Sequence, residues 1–198
     1  MEKVMTALVV PLMLLNMFGG IVSGIWLAVL GEWGVIGWGI LYLFAASFLL
    51  GFAMLPGLIF AAPIAAMGDR ANKFVVYICA FFSALYTMAV ITAWCIWTLY
   101  FFATKADSSS YIPVLIWSYG AATGPLVFLA KKDMQAGNDA AMTATFFAQL
   151  AYVLVAVLAI FFPFIILELA LVFGGIMVVG LIFQFIAVIA EDKQRGYI

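Results

Sequence analysis

The sequence predicts an all-α integral membrane protein, and three observations carry that prediction. Of 198 residues, 69% are apolar and only 9% are charged; soluble domains run at roughly 45–50% and about 25%. The chain has no histidine. Its few charges fall in clusters that separate six apolar stretches, 5–30, 35–67, 74–103, 111–130, 142–162 and 164–190. Each reaches the ~20 residues a helix needs to cross about 30 Å of hydrocarbon. No linker or low-complexity segment divides them, so the chain reads as one transmembrane domain over residues 1–198.

The spans follow in order. The first starts behind Met1-Glu2-Lys3 and resembles a signal peptide, but it is about twice the length of a signal h-region and meets Gly31-Glu32 without a small-x-small cleavage pattern. It reads as a retained helix. The second run is unusually long and is interrupted by Pro56 and Pro63. The third ends at Lys105–Ser110, which is too short to be anything but a loop. Pro11 lies in the first span and Pro125 at mid-depth in the fourth. Such prolines free a carbonyl, which is tolerated where protein packs it or water lines it. Between the fifth and sixth spans Pro163 is the only punctuation, so that turn rests on one residue and five spans is the competing count.

Charge placement supplies the topology. With six spans, one side carries Lys3, Arg70, Lys73, Lys131, Lys132, Lys193 and Arg195, and the other carries Lys105 alone. Because cytoplasmic loops retain Lys and Arg, both termini are expected in the cytoplasm. Trp26, Trp33, Trp38, Trp94, Trp97 and Trp117 all fall in the outer halves of their spans, as an interfacial aromatic belt would.

An internal repeat is also legible. Asn72 is followed by Phe81-Phe82-Ser83-Ala84-Leu85, and Asn138 by Phe146-Phe147-Ala148-Gln149-Leu150. Upstream, Pro56-Gly57-Leu58-Ile59-Phe60 recurs as Gly124-Pro125-Leu126-Val127-Phe128. Helices two and three are therefore expected to form a hairpin that helices four and five repeat in parallel.

Much chemistry is excluded by composition. Without histidine there is no His-based zinc site and no Ser-His or Cys-His nucleophile. Cys79 and Cys95 are sixteen residues apart on one helix, ~24 Å at 1.5 Å per residue, beyond disulfide reach. No catalytic residue, metal site or cofactor is expected. Eight basic residues at a net charge of −1 leave no footprint for nucleic acid. Of the seventeen formally charged residues only Glu168 lies inside an apolar run, either as a functional intramembrane group or as a solvated helix start. Asn16, Gln149 and Gln184 are the other strongly polar groups at depth, suited to interhelical hydrogen bonds or to a solute path.

Phe18-Gly19-Gly20-Ile21 in the first span is echoed by Phe173-Gly174-Gly175-Ile176 in the last. Gly20-x-x-x-Gly24 and Gly120-x-x-x-Gly124 have the spacing that lets membrane helices approach closely. These glycines fit either close packing or the walls of a narrow pore.

Six short-looped helices with Asn72-Lys73-Phe74, Gly137-Asn138, the Phe-Phe-x-x-Leu blocks and Pro11-Leu12 followed by Phe18-Gly19 resemble the acetate/succinate transporter family of bacteria, archaea and fungi. In that family a first-helix box reads Asn-Pro-Ala-Pro-Leu-Gly-Leu, where this chain has Ala7-Leu8-Val9-Val10-Pro11-Leu12-Met13. The resemblance implies a homo-oligomer, a hexamer of six-helix protomers, in a bacterial or archaeal cytoplasmic membrane. It also implies an apolar constriction at Phe18, Phe82 and Leu150, with Asn16, Gln149, Glu168, Asn72 and Asn138 as polar or pore-lining candidates. The expected function is a channel or facilitative transporter for a small monocarboxylate such as acetate. Ser118-Tyr119-Gly120-Ala121-Ala122-Thr123-Gly124 is similar to a segment of the urea/amide channel family, which gives a second transport reading. The third reading is a non-transporting membrane subunit that anchors or stabilises a larger complex.

Overall fold

The structure, a computed structural model, describes residues 2–60, 62, 73–135 and 139–194. Its described residues form an all-helical bundle: α1 (Glu2–Val29), α2 (Trp33–Met54), α3 (Lys73–Ala103), α4 (Tyr111–Gln135), α5 (Asp139–Phe161) and α6 (Leu169–Gln194). Five of these helices carry apolar runs long enough to cross a membrane, and α6 carries a shorter one over Leu169–Phe183.

Local chemistry sets the helix ends. Gly31, at φ 81°, closes α1, with the Glu32 amide donating to the Leu27 carbonyl at 2.9 Å and the Gly31 amide to Ala28 at 3.1 Å. That pair of bonds is the Schellman arrangement, and glycine takes its left-handed position without a Cβ penalty. The long second run breaks where expected: Pro56 sits in a 3-10 turn, Leu55–Gly57, directly after α2. Pro63 lies outside the described residues. Ser110, directly before α4, ties the loop to the helix start: its Oγ accepts from the Asp107 amide at 3.0 Å and its backbone carbonyl accepts from the Val114 amide at 2.9 Å. The turn predicted on Pro163 alone is present as a 3-10 turn, Pro163–Ile165. The last helix starts later than its apolar run because this turn and residues 166–168 consume the start of it.

α4 is the hub of the bundle, packing against α1, α2, α3 and α5, while α6 packs on α3 and α5. The contacts fix the directions. Gly39 faces Trp117 and Gly124 faces Leu43, so α2 and α4 run parallel. Tyr119 bonds Gln149 and Tyr111 bonds Ala159, so α4 and α5 run antiparallel. Gly24 faces Trp117 whereas Tyr119 reaches Leu12, so α1 also opposes α4.

Burial follows the hub. The main apolar core lies among α3, α4, α5 and α6 and contains Leu99, Leu115, Tyr152 and Phe173. By contrast α1 and α2 expose long apolar faces, Phe44 and Phe48 at 72% each, which is the surface expected where lipid is the solvent. The tryptophans divide in a way the belt reading did not anticipate. Trp26, Trp33, Trp38 and Trp97 are exposed, but Trp94 and Trp117 turn inward, because each finds a niche between helices. Trp94 donates its indole N–H to the Ala122 carbonyl at 3.0 Å, one residue from the Ala121 carbonyl that Pro125 deprives of its usual helical donor.

Candidate functional site

The middle of α4 carries a seam of neutral hydrogen-bonding groups. Ser118 and Thr123 are fully buried, and Tyr119, Gln149 and Tyr152 nearly so. Tyr152 donates to Ser118 Oγ at 2.8 Å, and Ser118 donates to the Leu115 carbonyl at 2.7 Å. Thr123 donates to the Tyr119 carbonyl at 2.8 Å and accepts from the Asn16 amide. The single Tyr119 hydroxyl proton faces two acceptors, Gln149 Oε1 at 3.0 Å and the Leu12 carbonyl at 3.3 Å.

Two buried side-chain polar atoms lack a partner among the described residues: Trp117 Nε1 and Gln149 Nε2. Both are N–H donors. Buried polar groups are otherwise almost always paired, so each is a position where an acceptor would be welcome. Replacing Gln149 by methionine, which has nearly the same shape, removes one orphan donor while Tyr119 keeps the Leu12 carbonyl. Thermal unfolding in detergent should then shift by no more than about 1 kcal/mol, and toward greater stability. A large loss would show that Gln149 Nε2 does have a partner.

Beside the seam lies a cleft of about 620 Å³ between α1, α2 and α4. Its walls include Gly20 and Gly24 of α1, Gly39 of α2 and Gly120 and Gly124 of α4, with Asn16 and Trp117. Asn16 thus belongs to both cleft and seam. The Trp117 indole is clamped between glycines. A Cβ at Gly39 would stand 2.0 Å from its Nε1 and a Cβ at Gly24 would stand 3.0 Å from its Cζ3. Gly20, in contrast, has open space where a Cβ would be. The two small-residue motifs therefore do different work: Gly24 admits the indole, and Gly20 leaves the cleft unfilled.

The other expected site residues fall elsewhere. Phe18 is 58% exposed on α1 and Phe82 is 47% exposed on α3, while Leu150 is half-buried on α5. Phe82 stacks on Phe60 with centroids 6.0 Å apart, and none of the three lines the cleft. Glu168 is exposed in the turn before α6, and its carbonyl accepts the Leu171 amide at 3.1 Å. That position matches the solvated helix start; a small cavity of about 230 Å³ with Tyr100, Thr104 and Tyr111 adjoins it. Asn72 and Asn138 lie outside the described residues, as does the side chain of Gln184. Among the described residues no group of His, Cys, Asp or Glu could hold a metal, and both cysteines are free.

Sequence reasoning found Asn16 and Gln149 but missed Ser118, Thr123, Tyr119, Tyr152 and Trp117 as a connected set. A signal existed: the fourth span is both the least apolar of the five and the most buried. Polar residues hidden in a membrane helix are held by partners.

Fold and seam together define the class, a multi-span α-helical protein of the membrane. No family model, no curated protein and no solved structure matches the chain.

Proposed function

We propose that the chain is a six-span channel or facilitative transporter for a small solute with hydrogen-bond acceptors, a small monocarboxylate such as acetate first among them. The observation that supports this reading is the glycine-walled cleft, joined through Asn16 to a seam of uncharged hydrogen-bonding side chains. Small residues leave room for a solute, and the Asn16 amide offers a donor beside it. Both termini lie in the cytoplasm, by the excess of Lys and Arg on one side. The α2–α3 and α4–α5 hairpins are parallel repeats, and protomers associate as a homo-oligomer. The resemblance to the acetate/succinate transporter family is the ground for naming acetate.

The seam contains no Lys, Arg or His to neutralise a carboxylate, and an unpaired charge in a low-dielectric interior is costly. The acid should therefore cross in its protonated form. Lowering the pH raises that fraction, so flux should rise as pH falls. The test is solute entry into vesicles containing the purified protein, with acetate and urea run in parallel against empty vesicles. Acetate entry above background, growing toward acid pH, is the expected result. Urea entry without acetate entry would favour the amide-channel reading. Entry of neither would overturn transport.

A second reading is a membrane subunit that stabilises a larger complex, with a partner covering part of the apolar faces of α1 and α2 that otherwise meet lipid. It calls for a stoichiometric partner on purification from native membranes in mild detergent.

A further inference from the structure

A second groove, of about 800 Å³, runs between α2 and α4 and is lined by residues of those two segments. One wall is a ladder of Phe44, Phe48 and Phe52, spaced four residues apart on one face of α2, and the opposite wall is Phe128. Gly51 and Pro125 contribute to the lining between them. From Leu43 to Leu55 the groove follows α2 for twelve positions, ~18 Å at 1.5 Å per residue. That is a long, narrow, apolar trough of the kind an extended hydrocarbon chain fills.

Charge marks one end of it. Because α2 and α4 run parallel, the Leu55 end of the groove is also the end toward which α4 continues past Phe128 and Leu129. Positions 131 and 132 are three and four residues beyond 128, on the same face of that helix, and both are lysine. Basic residues at the end of an apolar interhelical groove suit an anionic headgroup.

We infer that this groove is a binding site for an anionic phospholipid, one acyl chain lying along the phenylalanine ladder and the phosphate lying at the end of the groove toward positions 131 and 132, both lysine. The groove meets the cleft at Leu43 and Gly124 and extends from there toward the Leu55 end of α2; the lipid assignment holds whether or not the chain conducts a solute.

Native mass spectrometry of the full chain, released from detergent with phosphatidylglycerol or phosphatidylcholine, tests it. The wild type should retain one phosphatidylglycerol in preference. Lys131→Gln with Lys132→Gln should bring that lipid down to the phosphatidylcholine level, by about fivefold for each lysine removed. Because those lysines also contribute to topology, a second variant is needed. A Cβ at Gly51 would meet nothing within 4 Å, so Gly51→Leu fills the trough without displacing backbone and should lower retention of both lipids. Equal retention of the two lipids by the wild type would overturn the inference. So would unchanged retention in Gly51→Leu. If Gly51→Leu instead dissociated a homo-oligomer and left lipid retention intact, the groove would hold a second copy and the lipid assignment would fall.

Discussion

Replacing Gly39 by alanine should destabilise the protein by about 1–3 kcal/mol, the usual cost of adding a methyl group to a filled site. The new Cβ would lie 2.0 Å from Trp117 Nε1 and 2.7 Å from Cε2. The indole cannot retreat toward α1, because a Cβ at Gly24 would already be only 3.0 Å from its far edge. The ring or the α2 backbone must move. Thermal unfolding in detergent, followed by tryptophan fluorescence, reads the effect. Trp117→Phe in the Gly39→Ala background should recover part of the loss, since the smaller ring vacates the disputed space. The two substitutions touch each other and should therefore be non-additive. A Gly39→Ala protein that melts like the wild type would show that α2 does not pack on Trp117.

Gly20→Leu is the complementary experiment. A Cβ there meets nothing within 4 Å, and the residue lines the cleft. Folding should be unaffected, because leucine is a better helix former than glycine by several tenths of a kcal/mol. The leucine side chain would nonetheless occupy the space that the proposed solute path uses. Flux into vesicles should fall to the level of empty ones while the unfolding temperature holds. Flux at the wild-type rate would remove the cleft from the pathway and point to a route elsewhere, between protomers for instance. Taken together the two glycines separate packing from passage, which their shared residue type could not do.

The placement of Trp117 shows why part of the site was hidden. At its position in the sequence it is one of six tryptophans in the outer halves of apolar spans, indistinguishable from Trp33 or Trp97. Only when α1 and α2 bring Gly24 and Gly39 to either side of it does it become a wall of a cleft. Phe18 and Phe82 illustrate the converse. The family resemblance put them in one constriction, but depth along a helix is one coordinate, and the rotation of each helix about its axis is another. The packing of α1 and α3 against α4 leaves both rings exposed. For Glu168, Pro163 and the turn after it displace the helix start by a few residues and place the residue directly before α6 rather than within it.

What the amino-acid sequence determined by itself was everything set by the length and composition of single segments. Helicity and the number of apolar stretches, the breaks at Gly31, Pro56 and Pro163, and the absence of histidine-based chemistry are local properties, read one span at a time. The tertiary structure decided which faces meet: α4 as the hub, Asn16 joined to Thr123, Tyr119 to Gln149, Tyr152 to Ser118, and glycines from three helices around one cleft. The physical reason is that helices apolar on nearly every side carry little periodic signal to orient them. In lipid there is no hydrophobic penalty to tell the inward face from the outward one, so close packing and a few buried hydrogen bonds make that choice, and both depend on residues distant in the chain.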